Sequence, residues 1–309
     1  MDTRPLGRTG VRISEVTLGT WGLASGAYAP TEEKHVERLV ARAIDVGVRA
    51  FDMAPLWGDG HGERVVGHVA GQRRDDVRYI TRGGIVSVDG ALLRRYDPES
   101  LERDLEGSLE RLATDRIDVW LLHDPPEAVL RRDDWRERVE RWKTAGKILS
   151  WGVSVGDQDR ARMALAAGAD ALCMVYNLLE SDDVHDLAAE IAVADACVLA
   201  RSPLAYGLLS GSWHEEMRFP QRDQRARRWT PEQMRVRVRR VNELRFLVKG
   251  EVTSMAAAAI RYVLANRLVA SAITGARTVP QLEEIARAAD GPPFLPELDL
   301  ARLGTAFEH

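Results

Sequence analysis

Hydrophobic and polar positions along this chain follow two alternating periods. Short apolar runs rich in β-branched residues, at 15–19, 48–54, 77–81, 117–123, 148–154, 171–176, 197–202 and 269–274, read as strands. Between them, apolar residues recur at spacings of three and four over 32–46, 61–70, 98–112, 134–145, 157–167, 183–194, 231–266 and 279–289, which predicts helices. Asp97-Pro98-Glu99 stands before Leu101, Leu105 and Leu109, and Thr230-Pro231-Glu232 before Met234 and Val238; each places a capping oxygen ahead of a proline in the first turn. A hairpin is expected around Arg8-Thr9-Gly10. The segment 231–266 exceeds one barrel helix and is expected to break at Lys249-Gly250-Glu251. Eight strand-plus-helix units without a linker predict an α/β fold, a closed (β/α)8 TIM barrel. It would span 1–309 as a single domain, with an N-terminal hairpin and an extra helix near the C-terminal end.

Composition narrows the function. At 309 residues, 45% hydrophobic and 29% charged, with a net charge of −4, the chain can bury a core and has no strong attraction for nucleic acid. The first eight residues carry no apolar run, and Met255–Ile260 stops at Arg261, short of the ~20 residues of a membrane span. A cytoplasmic protein with no membrane or nucleic-acid partner is expected, its partner being a small-molecule substrate. Cys173 and Cys197 lie in apolar runs and read as buried free thiols, and the isolated histidines show no metal-ligand spacing. Lys34, Lys143, Lys147 and Lys249 are the only lysines, so a catalytic amine has few sources.

Barrel enzymes carry their chemistry at the C-terminal ends of the strands. Asp52, Arg82, His123, Ser154, Asn177, Arg201 and Gly275 end successive strands or begin the loops after them. Ionisable groups in apolar strands are costly unless paired or used. Arg82 is able to pair with Asp52 as a structural partner, or to stabilise a developing oxyanion; it cannot release its proton. Trp57 offers a flat face and a non-acidic N–H. His123, with an ordinary pKa of about 6.5, is the first candidate for general acid or base, followed by Asp124 and by His61 in the loop Gly58–Arg64.

Four segments, Phe51-Asp52-Met53-Ala54-Pro55-Leu56-Trp57-Gly58, Ile80-Thr81-Arg82-Gly83, Trp120-Leu121-Leu122-His123 and Ser202–Gly211, together resemble the aldo-keto reductase family of the bacterial type. The resemblance runs from Arg4-Pro5-Leu6-Gly7-Arg8-Thr9-Gly10 to Glu284. It implies an Asp, a Tyr, a Lys and a His, the Tyr protonating a carbonyl as NADPH delivers hydride. Here Asp52 and His123 stand in place, with Trp57 at the Tyr position and Arg82 at the Lys position. The resemblance also implies NADP(H), its nicotinamide amide held by a Ser-Asn pair and a Gln, and its ring stacked on an aromatic. This chain has Ser154 but Val155, Cys173 and Arg201 in the other three places. At the nucleotide end, Ser202, Leu204 and Gly207 resemble the pyrophosphate loop. Gly275, Arg277, Gln281 and Glu284 resemble the adenosine-phosphate grip, with Ile285 where an Asn is expected.

Trp21, Trp57, Tyr176, Tyr206 and Trp213 fall near the expected pocket mouth, although core packing explains Tyr176 equally well. The arginine-rich segment Met217–Trp229 reads either as a solvated loop or as a lid over an anion. The altered positions point first to a non-redox acid/base reaction, a dehydration, isomerisation or cyclisation, run by His123 with Arg82 and Asp52 as a clamp. The second expectation is an NADPH-dependent carbonyl reductase with His123 or water as proton donor. The third is a non-catalytic, nucleotide-responsive partner protein, since the family includes ancillary channel subunits. Substrate identity and oligomeric state have no signature in the sequence.

Overall fold

The apolar runs become strands buried on both faces, a condition met when a parallel sheet closes around its own side chains inside a layer of helices. The computed structural model describes residues 1–24, 26–28, 30–88, 90–291 and 294–306, the last three by backbone alone. The chain opens with an antiparallel hairpin, β1 (Thr3–Pro5) and β2 (Arg12–Ser14), whose turn ends at Gly10 with a φ of 75°. Next come β3 (Val16–Gly19), α1 (Trp21–Ala24), α2 (Glu33–Asp45), β4 (Ala50–Asp52), α3 (His61–Ala70) and β5 (Arg78–Gly83). A second hairpin, β6 (Ile85–Val88) and β7 (Ala91–Arg94), leads to α4 (Pro98–Arg111), β8 (Ile117–His123), α5 (Glu127–Leu130), α6 (Asp134–Thr144) and β9 (Ile148–Ser154). Then follow α7 (Gln158–Ala166), β10 (Ala171–Val175), α8 (Asp182–Asp186), α9 (Ala188–Val193) and β11 (Cys197–Arg201). The last elements are α10 (Pro231–Glu243), α11 (Met255–Ala265), β12 (Val269–Thr274), α12 (Val279–Ala288) and α13 (Glu297–Ala306).

Strands β3, β4, β5, β8, β9, β10, β11 and β12 form a closed parallel barrel in that order. Ala50, Ile80, Val119, Leu121, Ala171 and Leu199 fill its interior, and Leu6 and Ile13 of the first hairpin join the same cluster from the N-terminal end. Their strand neighbours Phe51, Tyr79, Trp120, Leu122, Leu172 and Val198 point the other way, into the helical layer. Each such apolar side chain contributes about 1.5–3 kcal/mol by leaving water.

The helix starts behave as their sequences require. Asp97 accepts from the Ser100 N–H at 2.9 Å, and Thr230 and Gln233 exchange the two bonds of a capping box. The expected break at 249–251 lies in the connection between α10 and α11, and Ser254 caps the second helix. Cys173 and Cys197 are buried and free.

Three features depart from the sequence pattern. The helix expected over 183–194 is two short helices meeting at Leu187, and the strand expected over 48–54 pairs only at Ala50–Asp52. Hairpin β6–β7 had no periodic signal because Val88, Leu92 and Leu93 are exposed, so no buried face marks it. It branches directly from β5 at Gly84, whose φ of 102° and contact with the Tyr96 ring exclude a side chain.

Candidate active site

The period-two alternation that fills the barrel also builds its mouth. One step beyond the interior residues Ala50, Ile80, Leu121, Gly152, Ala171 and Leu199, the next inward positions are Asp52, Arg82, His123, Ser154, Cys173 and Arg201. These six side chains meet at the inner end of a cleft of about 700 Å³. The same cleft continues outward along Ser202, Leu204, Tyr206 and Gly207 to Gly275, Arg277, Gln281 and Glu284, with Trp21, Trp57 and Trp213 also on its walls. Apart from His61 and Tyr176, the side chains and glycines assigned from the sequence to catalysis, cofactor or substrate therefore line one continuous space.

Arg82 organises the inner end. Its Nη2 donates to Asp52 Oδ1, its Nε to the Met53 carbonyl at 3.2 Å and its Nη1 to Ser154 Oγ at 3.3 Å. The guanidinium carbon lies 4.8 Å from the centroid of the Trp57 ring, within cation–π range. Only 4% of Asp52 and 3% of Arg82 is exposed, so the charges are desolvated and each depends on the other. Burial raises the Asp52 carboxyl above the usual carboxylate value, against the opposing pull of Arg82 and Arg201.

Trp57 owes its place to the turn that follows it. Gly58 has a φ of 62°, and a Cβ there would fall 2.1 Å from the Ala24 carbonyl oxygen, so only glycine lets this loop close onto α1. The glycine-rich loop is thus a packing device. His61, which it carries, begins α3 with its ring 3.9 Å from Glu33 and does not reach the cleft.

His123 departs from its expected role. Burial, and then the Arg82 cation, push its pKa from 6.5 down to about 3. It is a neutral ring at physiological pH, able to donate or accept a hydrogen bond but not to serve as an acid. Asp124 is no replacement: although burial opposes it, bonds from Arg94 at 2.8 Å and Arg160 at 2.6 Å hold its carboxyl below the ordinary value. Burial raises the Cys173 thiol.

The outer end is shaped by backbone. Ser202, Ala205, Tyr206 and Gly207 all have left-handed φ values, 58°, 44°, 62° and 97°. Three of them are not glycine, a strained run that function or close packing must hold in place. Asn177 Nδ2 donates to the Ser202 carbonyl at 3.1 Å and steadies the start of this loop. Across the cleft, the Arg277 N–H donates to Gln281 Oε1 at 2.9 Å and its Nη2 to Thr31 Oγ1 at 3.2 Å. A Cβ at Gly275 would meet no atom within 4 Å, and the Thr274 hydroxyl is buried without a hydrogen-bond partner among the described residues. Open backbone beside a helix N-terminus, an arginine and an orphaned hydroxyl suit the phosphates and sugar of a dinucleotide.

Two further expectations resolve. Tyr176 belongs to the core: its hydroxyl meets His185 Nε2 at 2.9 Å and its ring stacks on Tyr262 at 5.5 Å. The segment 217–229 is docked in part, although Arg218, Arg222, Arg227 and Arg228 are exposed. Gln224 N–H donates to the Ala27 carbonyl at 2.9 Å, and Arg225 lies 4.5 Å from Tyr28 and 4.3 Å from Phe219 while lining the cleft. Arg228 lies 3.6 Å from the Tyr206 ring centroid. The sequence reading missed Tyr28, Gly156, Thr274 and Ser210 as lining residues. Thr274 ends β12 and was findable by the strand-end rule; Tyr28 sits in an irregular loop and carries no periodic signal.

A closed eight-stranded barrel with a strand-end polar cluster at its mouth defines a barrel enzyme scaffold, and sequence comparison fixes the family. The chain belongs to the Aldo/keto reductase family, whose pattern matches residues 15–299. It is 28% identical to Aldo-keto reductase YhdN of Bacillus subtilis over 92% of this chain and 88% of that one. It is equally 28% identical to a probable voltage-gated potassium channel subunit beta of Oryza sativa, over 96% and 93%. The glycerol dehydrogenase AKR11B4 from Gluconobacter oxydans shares the fold with a TM-score of 0.86 at 24% identity, covering 98% of this chain and 94% of the other. Among the described residues no helix is long and apolar enough to cross a membrane, and no group of three ligating side chains is placed to hold a metal.

Proposed function

We propose that this chain is an oxidoreductase that interconverts a small carbonyl compound and its alcohol with a nicotinamide dinucleotide, using fixed charge where relatives use a side-chain acid. One observation carries the proposal: apart from Asp52, whose carboxyl is tied to Arg82, no side chain at the inner end is an acid poised near neutrality. Arg82 is a permanent cation, Trp57 is not acidic, His123 is held neutral with a pKa of about 3, and burial raises the Cys173 thiol. The acid/base readings therefore lose the residue that was to run them.

A bound dinucleotide supplies the hydride. The chain's own part is to hold the carbonyl oxygen with the Arg82 guanidinium and the neutral His123 ring, so that negative charge develops against donors already in place. Asp52 fixes Arg82, and Trp57 flanks it. The proton reaches the product oxygen from water. Ser154 Oγ accepts from Arg82 and keeps one O–H to donate, while Val155 offers no polar side chain, so the dinucleotide is held mainly by its phosphates at the outer end.

The test is deuteride transfer. Purified protein is incubated with 4-deuterated NADPH or NADH and a panel of aldehydes and 2-oxo acids, and the alcohol products are analysed by mass spectrometry. Deuterium at the former carbonyl carbon, with a turnover rate flat between pH 5.5 and 8, is expected. Dinucleotide binding with no deuterium in any product would end the enzymatic reading. It would favour a nucleotide-responsive partner protein, a role the relationship to the rice channel subunit keeps open.

A further inference from the structure

The charges at the cleft's inner end do not balance. Arg82 is paired with Asp52. At the rim, Arg94 and Arg160 are matched by Asp124 and Asp157. Arg201 has no carboxylate within ion-pair distance among the described residues. Its one hydrogen bond there is from Nη2 to the Val155 carbonyl at a long 3.4 Å, and its Nε is buried with no partner. The side chain reaches across the ends of β11, β10 and β9, where its positive charge acts on Asp52, His123 and Cys173 together. Arg201 and its neighbour Gly156 both line the cleft.

A partly buried guanidinium with no carboxylate beside it is stabilised when an anion joins it. We propose that Arg201 binds a carboxylate of the substrate, so that the carbonyl compounds taken by this cleft are organic acids. The inference rests on the oxidoreductase reading for the word carbonyl, but not for the anion. A planar guanidinium matches the two oxygens of a carboxylate. The inner end carries one excess positive charge, which a carboxylate neutralises with its single negative charge, whereas a phosphate brings about −1.5 to −2. Trp57 and Val155 line the same end and offer a flat, apolar wall to the remainder of the substrate.

The experiment is calorimetric titration without dinucleotide, using benzoylformate, its uncharged methyl ester and inorganic phosphate as probes. Wild-type protein should bind benzoylformate at least about tenfold more tightly than the ester. Arg201→Gln should weaken benzoylformate by about ten- to hundredfold and leave the ester unchanged, while Arg201→Lys, which keeps the charge but loses the fork, should fall between. Thermal melts of the three proteins identify any variant that has lost its fold, and Arg201→Lys then carries the comparison. Equal binding of acid and ester, phosphate binding in preference to benzoylformate, no binding of benzoylformate, or an Arg201→Gln affinity equal to wild type would each overturn the proposal. Because hydride transfer is not measured, a carboxylate that binds through Arg201 without turnover would sink the oxidoreductase reading and leave this one standing.

Discussion

The two ends of the cleft are built on different principles. The inner end is made of side chains: Asp52, Arg82, His123 and Arg201 stand at the inward-facing ends of β4, β5, β8 and β11, and their charges set one another's behaviour. The outer end is made largely of backbone, with left-handed residues at Ser202, Ala205, Tyr206 and Gly207 facing open space at Gly275. A substitution at the inner end changes the chemistry directly. At the outer end, most substitutions leave the backbone donors where they were. Chemistry in such a scaffold can therefore diverge while the nucleotide grip persists.

The largest expected effect comes from rewriting the inner end. If fixed charge has replaced a side-chain acid, then Trp57→Tyr combined with Arg82→Lys should raise carbonyl reduction by about 10²–10⁴-fold, the usual contribution of a positioned acid. Nucleotide affinity, measured by tryptophan quenching, should stay within about twofold. An unchanged rate would show that the fixed-charge arrangement is not the limiting feature.

Removing one partner of the buried pair comes next. Arg82→Met leaves Asp52 desolvated and alone, which costs about 3–5 kcal/mol of stability and is visible as a large drop in denaturant midpoint. Adding Asp52→Asn should return much of that loss, since no charge is then left unpaired. A single variant as stable as wild type would mean that the pair is solvated in practice and that the inner end is not the dry, charge-locked region described above.

The pH dependence of His123 is a smaller effect. The unfolded chain takes up its proton near 6.5 and the folded one only near 3, so between those values the unfolded state binds more protons and stability rises with pH. Acidifying from pH 7 to 4.5 should cost up to about 2–3 kcal/mol through this residue. His123→Asn should remove that part of the acid loss, read as a narrower gap between the melting temperatures at the two pH values. An unchanged gap would place the His123 pKa near its ordinary value and return it to contention as an acid.

The fold was legible because period-two strands and period-three-to-four helices alternate eight times, and Pro98 and Pro231 mark helix starts that the structure keeps. Membership of the cleft was legible for the same reason: strand-end parity alone places Asp52, Arg82, His123, Ser154 and Arg201 in one space. Protonation was not legible. A sequence places His123 beside Arg82 but gives no burial, and burial is the larger cause of its shift. The hairpin Ile85–Arg94 and the packing of Arg225 between Tyr28 and Phe219 also escaped, since neither leaves a buried periodic face.

The smallest effect belongs to the outer end and tests whether backbone carries the grip. Arg277 is its most prominent side-chain cation, positioned by Gln281 through its own N–H and by Thr31 through Nη2. If the left-handed run and open backbone do most of the holding, Arg277→Ala should weaken NADPH by only about five- to tenfold, of the order of one charge-assisted bond in a partly solvated site. The loss should shrink as salt is raised, because the lost contribution is electrostatic and screened. NADH, which lacks the 2′-phosphate, should be weakened less. A hundredfold loss shared equally by both dinucleotides would mean that one side chain, rather than the backbone, holds the outer end, and the contrast between the two ends would fail.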